Sequence, residues 1–201
     1  MARLLLSKAT LAKEKSSLSS YQRFLPALDM KRQQLRIAVK SAERSKRELT
    51  IELESLKRSV ADHIPMLSNR RVELSQLVTV KQVNWQVKNI AGCRVPEVAQ
   101  IEMVRAQPAA LAKPHWFLPL QLLVEQALRL EIALSAADQQ IERLSAALVK
   151  ITQRVNLFDK VLIPKTEANI KRIQIYLGDR EREAVVTSKI AKKRHAAGQL
   201  D

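Results

Sequence analysis

Steps of three and four residues taken alternately from Leu120 fall on Leu120, Leu123, Ala127, Leu130, Leu134, Ala137, Ile141, Leu144, Leu148, Ile151, Val155, Phe158 and Leu162, and every one is apolar. A 3.5-residue repeat sustained over six heptads predicts a left-handed coiled coil, because a straight helix would rotate such a stripe away from its partner. Pro119 suits a first helical position, where its missing N–H costs nothing. No glycine follows until Gly178.

The N-terminal part repeats the pattern less cleanly. Leu11, Glu14, Leu18, Tyr21, Leu25, Leu28, Arg32, Leu35, Val39, Ala42, Lys46, Leu49, Leu53, Leu56 and Val60 keep the same spacing, with Glu14, Arg32 and Lys46 polar. Arg32 and Lys46 can lay their methylenes along the seam while the charge stays in water. Polar seam residues cost stability but help to fix register. Two helices of this kind would run roughly 80 and 110 Å at 1.5 Å per residue, so the expectation is a rod made by an antiparallel helical hairpin. Paired residue numbers then add to a constant, fixed by the seams only to within multiples of seven. A sum of 190 pairs Leu28 with Leu162, Leu35 with Val155, Ala42 with Leu148, Leu49 with Ile141 and Leu56 with Leu134. It places Lys46 at the level of Leu144, as an imperfect layer, and Pro26 level with Pro164, where each proline removes a hydrogen bond. A shared kink is expected at these two prolines. The stripe also slips there, from Leu162 to Ile170, Ile173 and Leu177.

Between the helices the period changes. Val83, Trp85 and Val87 alternate with Asn84, Gln86 and Lys88, which is strand periodicity. Ile90-Ala91-Gly92 supplies a turn, and Val95-Pro96 and Ile101–Val104 read as the returning strand, with Pro96 tolerable only at an edge or bend. Trp85 is expected on the core face. Pro108 and Pro114 close the segment. The division is therefore a helix over 1–73, a small β-hairpin element over 74–114 hung at the end of the helical hairpin, and a helix over 115–201 with a basic tail (Lys189, Lys192, Lys193, Arg194) whose last dozen residues should fray.

Composition agrees with this mainly α reading. Three Phe, two Tyr, two Trp and three Gly among 201 residues are few for a compact α/β or all-β fold. No apolar run reaches the roughly 18–20 residues of a membrane span, and Arg3-Leu4-Leu5-Leu6 is too short for a secretory signal. A lone cysteine, Cys93, excludes an internal disulfide and suits a reducing compartment. The expectation is a soluble intracellular protein. The net charge of +15 exceeds what solubility alone requires and points to an acidic partner surface.

Catalytic chemistry is not readable. Three scattered glycines build no phosphate loop. His63, His115 and His195 are far apart, with no Cys or carboxylate at ligand spacing, so no metal site is expected. Glu181 and Glu183, two apart on a helix, face different ways. The basic residues lack the interleaved aromatics of a single-strand binder and the concentrated basic region ahead of a leucine zipper.

The stretch from Arg154 to Lys193 carries the specific signal. Arg154-Val155-Asn156, then Val161-Leu162-Ile163-Pro164, a helix bearing Lys and Ile, and Asp179-Arg180-Glu181-Arg182-Glu183 before a basic end resemble the D subunit of the vacuolar/archaeal-type rotary ATPases. Asn89-Ile90-Ala91-Gly92 through Val95-Pro96 is similar to that family's hairpin, and Lys31-Arg32 with Leu35 to its first helix. Tyr21-Gln22-Arg23-Phe24-Leu25-Pro26 departs from the basic, glycine-containing stretch expected there, which implies a divergent bacterial branch. The resemblance implies a non-catalytic central-stalk rotor without cofactors of its own, cytoplasmic and peripheral to the membrane. Its termini would reach into the ring of catalytic and regulatory A and B subunits, and its hairpin end would meet the small F subunit of the stalk and the adaptor above the membrane ring. The same residues leave open a basic coiled-coil nucleic-acid-associated or scaffold protein.

Overall fold

The computed structural model describes residues 5–63, 77–106 and 116–197. The chain is mainly α. The first long helix, α1, is Lys8–His63; the strands β1 (Val78–Ile90) and β2 (Cys93–Arg105) follow; the second long helix is formed by α2 (Phe117–Leu157), a π-helical turn (Phe158–Leu162) and α3 (Ile163–Ala197). The expected boundaries at 73/74 and 114/115, with Leu74, Pro108, Pro114 and the side chains of all three histidines, lie outside the described residues. Two compact units are present, Lys31–Lys150 and Met1–Met30 with Ile151–Asp201.

The helix ends follow local chemistry. Ser7 caps α1: its Oγ accepts the N–H of Thr10 at 3.2 Å, satisfying one of the donors a helix start leaves unpaired. The second long helix begins at Phe117, two residues before the expected Pro119. Leu120 N–H already donates to the Trp116 carbonyl, so Pro119 sits inside the first turn, where no N–H is required of it. At the other end α3 stays helical to Ala197, further than the fraying expected of the last dozen residues.

In the unit Lys31–Lys150, α1 and α2 pack antiparallel over Leu35, Val39 and Leu53 on one side and Leu120, Ala136, Ala137 and Leu144 on the other, all buried. Each such side chain taken out of water contributes on the order of 1.5–3 kcal/mol before ordering entropy is charged against it. The hairpin does not hang beyond this pair, contrary to expectation; it lies back along it. Its base joins Leu77, Phe117 and Leu120 in one cluster with Val60, Val78, Trp116, Leu123 and Val124. Its far end reaches Arg143, whose carbonyl lies 3.7 Å from Cys93 Sγ, and Lys31, whose Nζ lies beside Gly92. Two 13-residue strands span about 43 Å at 3.3 Å per residue, enough to cover the stretch of α2 from Phe117 to Arg143.

Ala91 and Gly92 close the hairpin with φ of 50° and 80°, the two consecutive positive values of a type I′ turn that matches strand twist. One extra residue on each strand, at Lys81 and at Ala99, breaks the register. The two bulges offset one another, so the pairing from Val78↔Arg105 to Ile90↔Cys93 stays closed.

Candidate functional site

All fifteen positions of the N-terminal series and all thirteen of the C-terminal series are buried or half-buried. Leu35 and Val155 are buried, while Leu28, Leu49, Leu56, Leu134, Ile141, Leu148 and Leu162 are half-buried. Their pairing is one heptad away from the expected sum of 190. In the first unit, Lys46 Nζ meets Asp138 Oδ1 at 2.6 Å, and the two numbers add to 184. Leu56 and Val60 line one apolar cleft with Leu120, Leu123, Val124 and Ala127; Leu56 with Ala127 and Val60 with Leu123 both add to 183. In the second unit, Asn169 Nδ2 donates to Glu14 Oε2 at 3.5 Å, again 183. The rings of Tyr21 and Phe158 meet edge-to-face at 5.3 Å between centroids. A sum of 190 would leave these two about 16 Å apart along the axis, eleven residues at 1.5 Å each. The exposed pair Lys8–Glu181 at 3.5 Å adds to 189, but two long surface side chains reach a turn along their helices, so the less exposed contacts at the seam decide.

The physical reason for the shift is the polar seam. Glu14 faces Asn169 and Lys46 faces Asp138 only when the sum is 183 or 184; at 190 each would face the wrong neighbour. Lys46 therefore has a partner in place of the expected imperfect layer against Leu144. That pair is about half exposed and contributes at most about 1 kcal/mol. Its larger effect is to select one register among apolar layers that tolerate several.

Pro26 and Pro164 are consequently not level. Pro26 lies inside an uninterrupted α1 and, in the 183–184 pairing, at the level of Leu157 and Phe158. Pro164 follows the π-turn after Ile163. Ile163 N–H donates to the Phe158 carbonyl, five residues back, and the Thr166 hydroxyl donates to the Leu162 carbonyl at 2.6 Å.

The hairpin base is held by residues that periodicity did not single out. Buried Gln121 donates through Nε2 to the carbonyls of Leu77 at 2.9 Å and Ala106 at 3.0 Å, tying both strand ends to α2. One turn on, Glu125 accepts from Arg105 at 2.7 Å and from Arg129 at 2.8 Å. Hydrogen bonds from Arg129 and then Arg105 outweigh the cost of its burial and hold its carboxyl below the usual carboxylate range. Further along, Gln140 Nε2 donates to the Pro96 carbonyl at 2.7 Å. Val95, fully buried, lies on the face toward the helices. The opposite face carries Trp85, 47% exposed, and Val87, 63% exposed. Trp85 is thus not a core residue as expected: the alternation was right, but the face that turns inward is the one carrying Cys93 and Val95.

Comparison with known proteins supplies the family. The family described as the ATP synthase D subunit matches residues 10–193. The chain belongs to the ATP synthase D subunit family. It is 34% identical over 192 residues to the V-type ATP synthase D subunit of Borreliella burgdorferi, covering 96% of this chain and 95% of that one. Against the V-type ATP synthase D subunit of Chlamydia trachomatis it is 30% identical over 194 residues, 94% of each chain, and against that of Chlamydia caviae 28% over 191 residues.

In this member of the D subunit family the motif Asp179–Glu183 lies on an exposed stretch of α3. Arg182 pairs with Asp179 at 3.2 Å, Arg180 donates to the Tyr176 hydroxyl at 3.1 Å and lies over its ring, and Glu181 reaches Lys8. From Asp179 to Lys193 every side chain is exposed, including Val185, Val186 and Ile190. In the divergent segment Tyr21–Pro26, Tyr21 packs on Phe158 while Phe24 is exposed. Among the described residues, no three His, Cys, Asp or Glu side chains cluster as metal ligands, and no helix is long and apolar enough to cross a membrane.

Proposed function

We propose that this chain is the central-stalk rotor subunit of a V-type ATPase or ATP synthase. It transmits torque between a catalytic hexamer and a membrane ion-translocating ring, and is itself non-catalytic. The observation that carries this reading is the end-to-end relationship to proteins named as the D subunit of V-type ATP synthases. The helix seams support it. A shaft must resist bending and twist, and in both units the seam residues of two paired helices are withdrawn from water with no glycine among them.

On this reading 1–73 and 115–201 are the shaft and 74–114 is the hairpin element. The seam residues Leu28, Leu35, Leu49, Leu56, Leu134, Ile141, Leu148, Val155 and Leu162 keep the helices together under load. The exposed basic end of α3 enters the ring of A and B subunits, where an acidic bearing surface would complement the +15 charge. The hairpin side meets the F subunit and the adaptor. The chain holds no nucleotide and no cofactor, and resides in the cytoplasm, peripheral to the membrane.

Deleting Lys189–Asp201 tests the assignment of the ends, because it removes basic residues but no position of the Leu120–Leu162 seam. In a reconstituted complex the truncated chain should still fold and still bind its small stalk partner, while the ratio of ion pumping to ATP hydrolysis falls. An unchanged ratio would make the tip a passive tail.

A further inference from the structure

The second long helix is out of step with itself. From Leu120 to Leu162 its seam keeps the alternation of three and four, and its buried positions Ala137, Leu144 and Ile151 stand seven apart; beyond Leu162 the buried positions are Thr166 and Ile173, again seven apart. Thr166 and Ile173 lie fifteen and twenty-two residues beyond Ile151, where a continued seven-residue spacing requires fourteen and twenty-one. That is one residue too many for a 3.5-residue repeat. The backbone shows where that residue went. Phe158–Leu162 is the π-helical turn among the described residues, and a π-turn closes hydrogen bonds over five residues where an α-turn closes them over four, taking up one residue without unwinding the seam on either side.

Three further features fall on the same stretch. Pro164 has no N–H to give the carbonyl one turn back. The Thr166 hydroxyl bonds back to the Leu162 carbonyl, a contact that competes with the helix ladder and bends it. On the facing helix, Pro26 stands level with the start of the π-turn in the observed register, so α1 also lacks a backbone donor there. Away from this level both helices keep an uninterrupted α-helical assignment.

We propose that Phe158–Leu162, with Pro164, Thr166 and the facing Pro26, forms a compliant joint in the helix pair, created by one residue inserted into an otherwise continuous heptad repeat. Bending and twist concentrate there, because fewer and longer-range hydrogen bonds resist them. Under the rotor reading, on which this one consequence rests, the joint is where a shaft takes up strain between power strokes.

The test uses the full chain alone and hydrogen exchange resolved by residue. In the natural sequence, amides over 159–166 should exchange about fivefold or more faster than those of the flanking turns, the effect of weakening about one backbone hydrogen bond. Deleting the exposed Lys160 brings Ile163, Thr166, Ile170, Ile173 and Leu177 into steps of four, three, four, three and four from Phe158. That variant should fold, melt no lower than the parent and lose the fast exchange. Pro164→Ala should keep the fast exchange, because it leaves the inserted residue in place. Equal exchange in the parent and the deletion variant, loss of the fast amides in Pro164→Ala, or failure of the deletion variant to fold would each overturn the joint. None of these readouts involves a partner, so the joint stands or falls independently of the rotor assignment, which co-purification with ATPase subunits tests separately.

Discussion

Register is the property most open to direct attack, because a shift of one heptad leaves every apolar layer apolar. The perturbation is a pair of cysteines in a Cys93→Ser background: Leu49→Cys with Leu134→Cys in one protein, and Leu49→Cys with Ile141→Cys in another. All three positions are half-buried seam residues, so the two proteins differ in register and little else. In the observed pairing Leu49 is level with Leu134. Ile141 is then seven residues further along, an axial displacement of about 10 Å at 1.5 Å per residue. Disulfides require Cα atoms no more than about 7 Å apart; two residues on one level of a packed helix pair can be brought within that reach, and two residues about 10 Å apart along the axis cannot. Mild oxidation followed by non-reducing electrophoresis and peptide mapping should give intramolecular crosslinks in the 49/134 protein at least about tenfold faster than in the 49/141 protein, since the second requires sliding one helix two turns past the other and breaking the Lys46–Asp138 and Glu14–Asn169 contacts. Faster crosslinking of 49/141 would restore the sum of 190 and refute the argument that polar partners select the register.

Other consequences follow from single side chains. Gln121→Ala removes both bonds to the Leu77 and Ala106 carbonyls and should cost about 1–3 kcal/mol, read as a fall in Tm of about 2–4 °C per kcal/mol for a chain of this size; an unchanged Tm would mean the hairpin base does not depend on it. Gly178→Ala places a methyl group in open space within α3, with nothing inside 4 Å, and should raise stability by about 1 kcal/mol, measured by denaturant unfolding. Because Arg129 and Arg105 hold the Glu125 carboxyl below its ordinary range, its contribution is fully present above the ordinary carboxylate range and is lost as pH falls through and below that range. Glu125→Gln should therefore flatten that part of the stability–pH curve, and an unaltered curve would show the two arginines to be spectators.

The helices and the hairpin were legible because they rest on period. Thirteen apolar positions at 3.5-residue spacing leave little choice of element, and the alternation around Trp85 fixes a strand. Register was not legible from the apolar stripe, since leucine layers repeat every seven residues and carry no label. The labels were Glu14, Asn169, Lys46 and Asp138, which could have been matched by asking which sum gives Glu14 and Lys46, two of the three polar seam residues, a polar partner. The slip of the stripe after Leu162 was visible in the sequence, but reading it as a proline kink missed the extra residue that a π-turn absorbs. Which face of the hairpin turns inward was not decidable from alternation alone: Val83, Trp85 and Val87 look like a core face until Val95 and the bond from Gln140 to Pro96 place β2 against α2. Gln121 carries no pattern, being one polar residue beside a seam, and only the two strand ends it reaches give it a role. The family was legible in the stretch Arg154–Lys193, whose motif Asp179–Glu183 is exposed.

The central claim is that this chain turns. A complex assembled on the full-length protein can be fixed to a surface through its catalytic ring, with a gold bead attached to the hairpin of this chain and followed by dark-field microscopy during ATP addition. The account predicts continuous rotation of the bead in one direction, stopping when ATP is withdrawn. A bead that stays fixed while the same immobilised complexes hydrolyse ATP would contradict it.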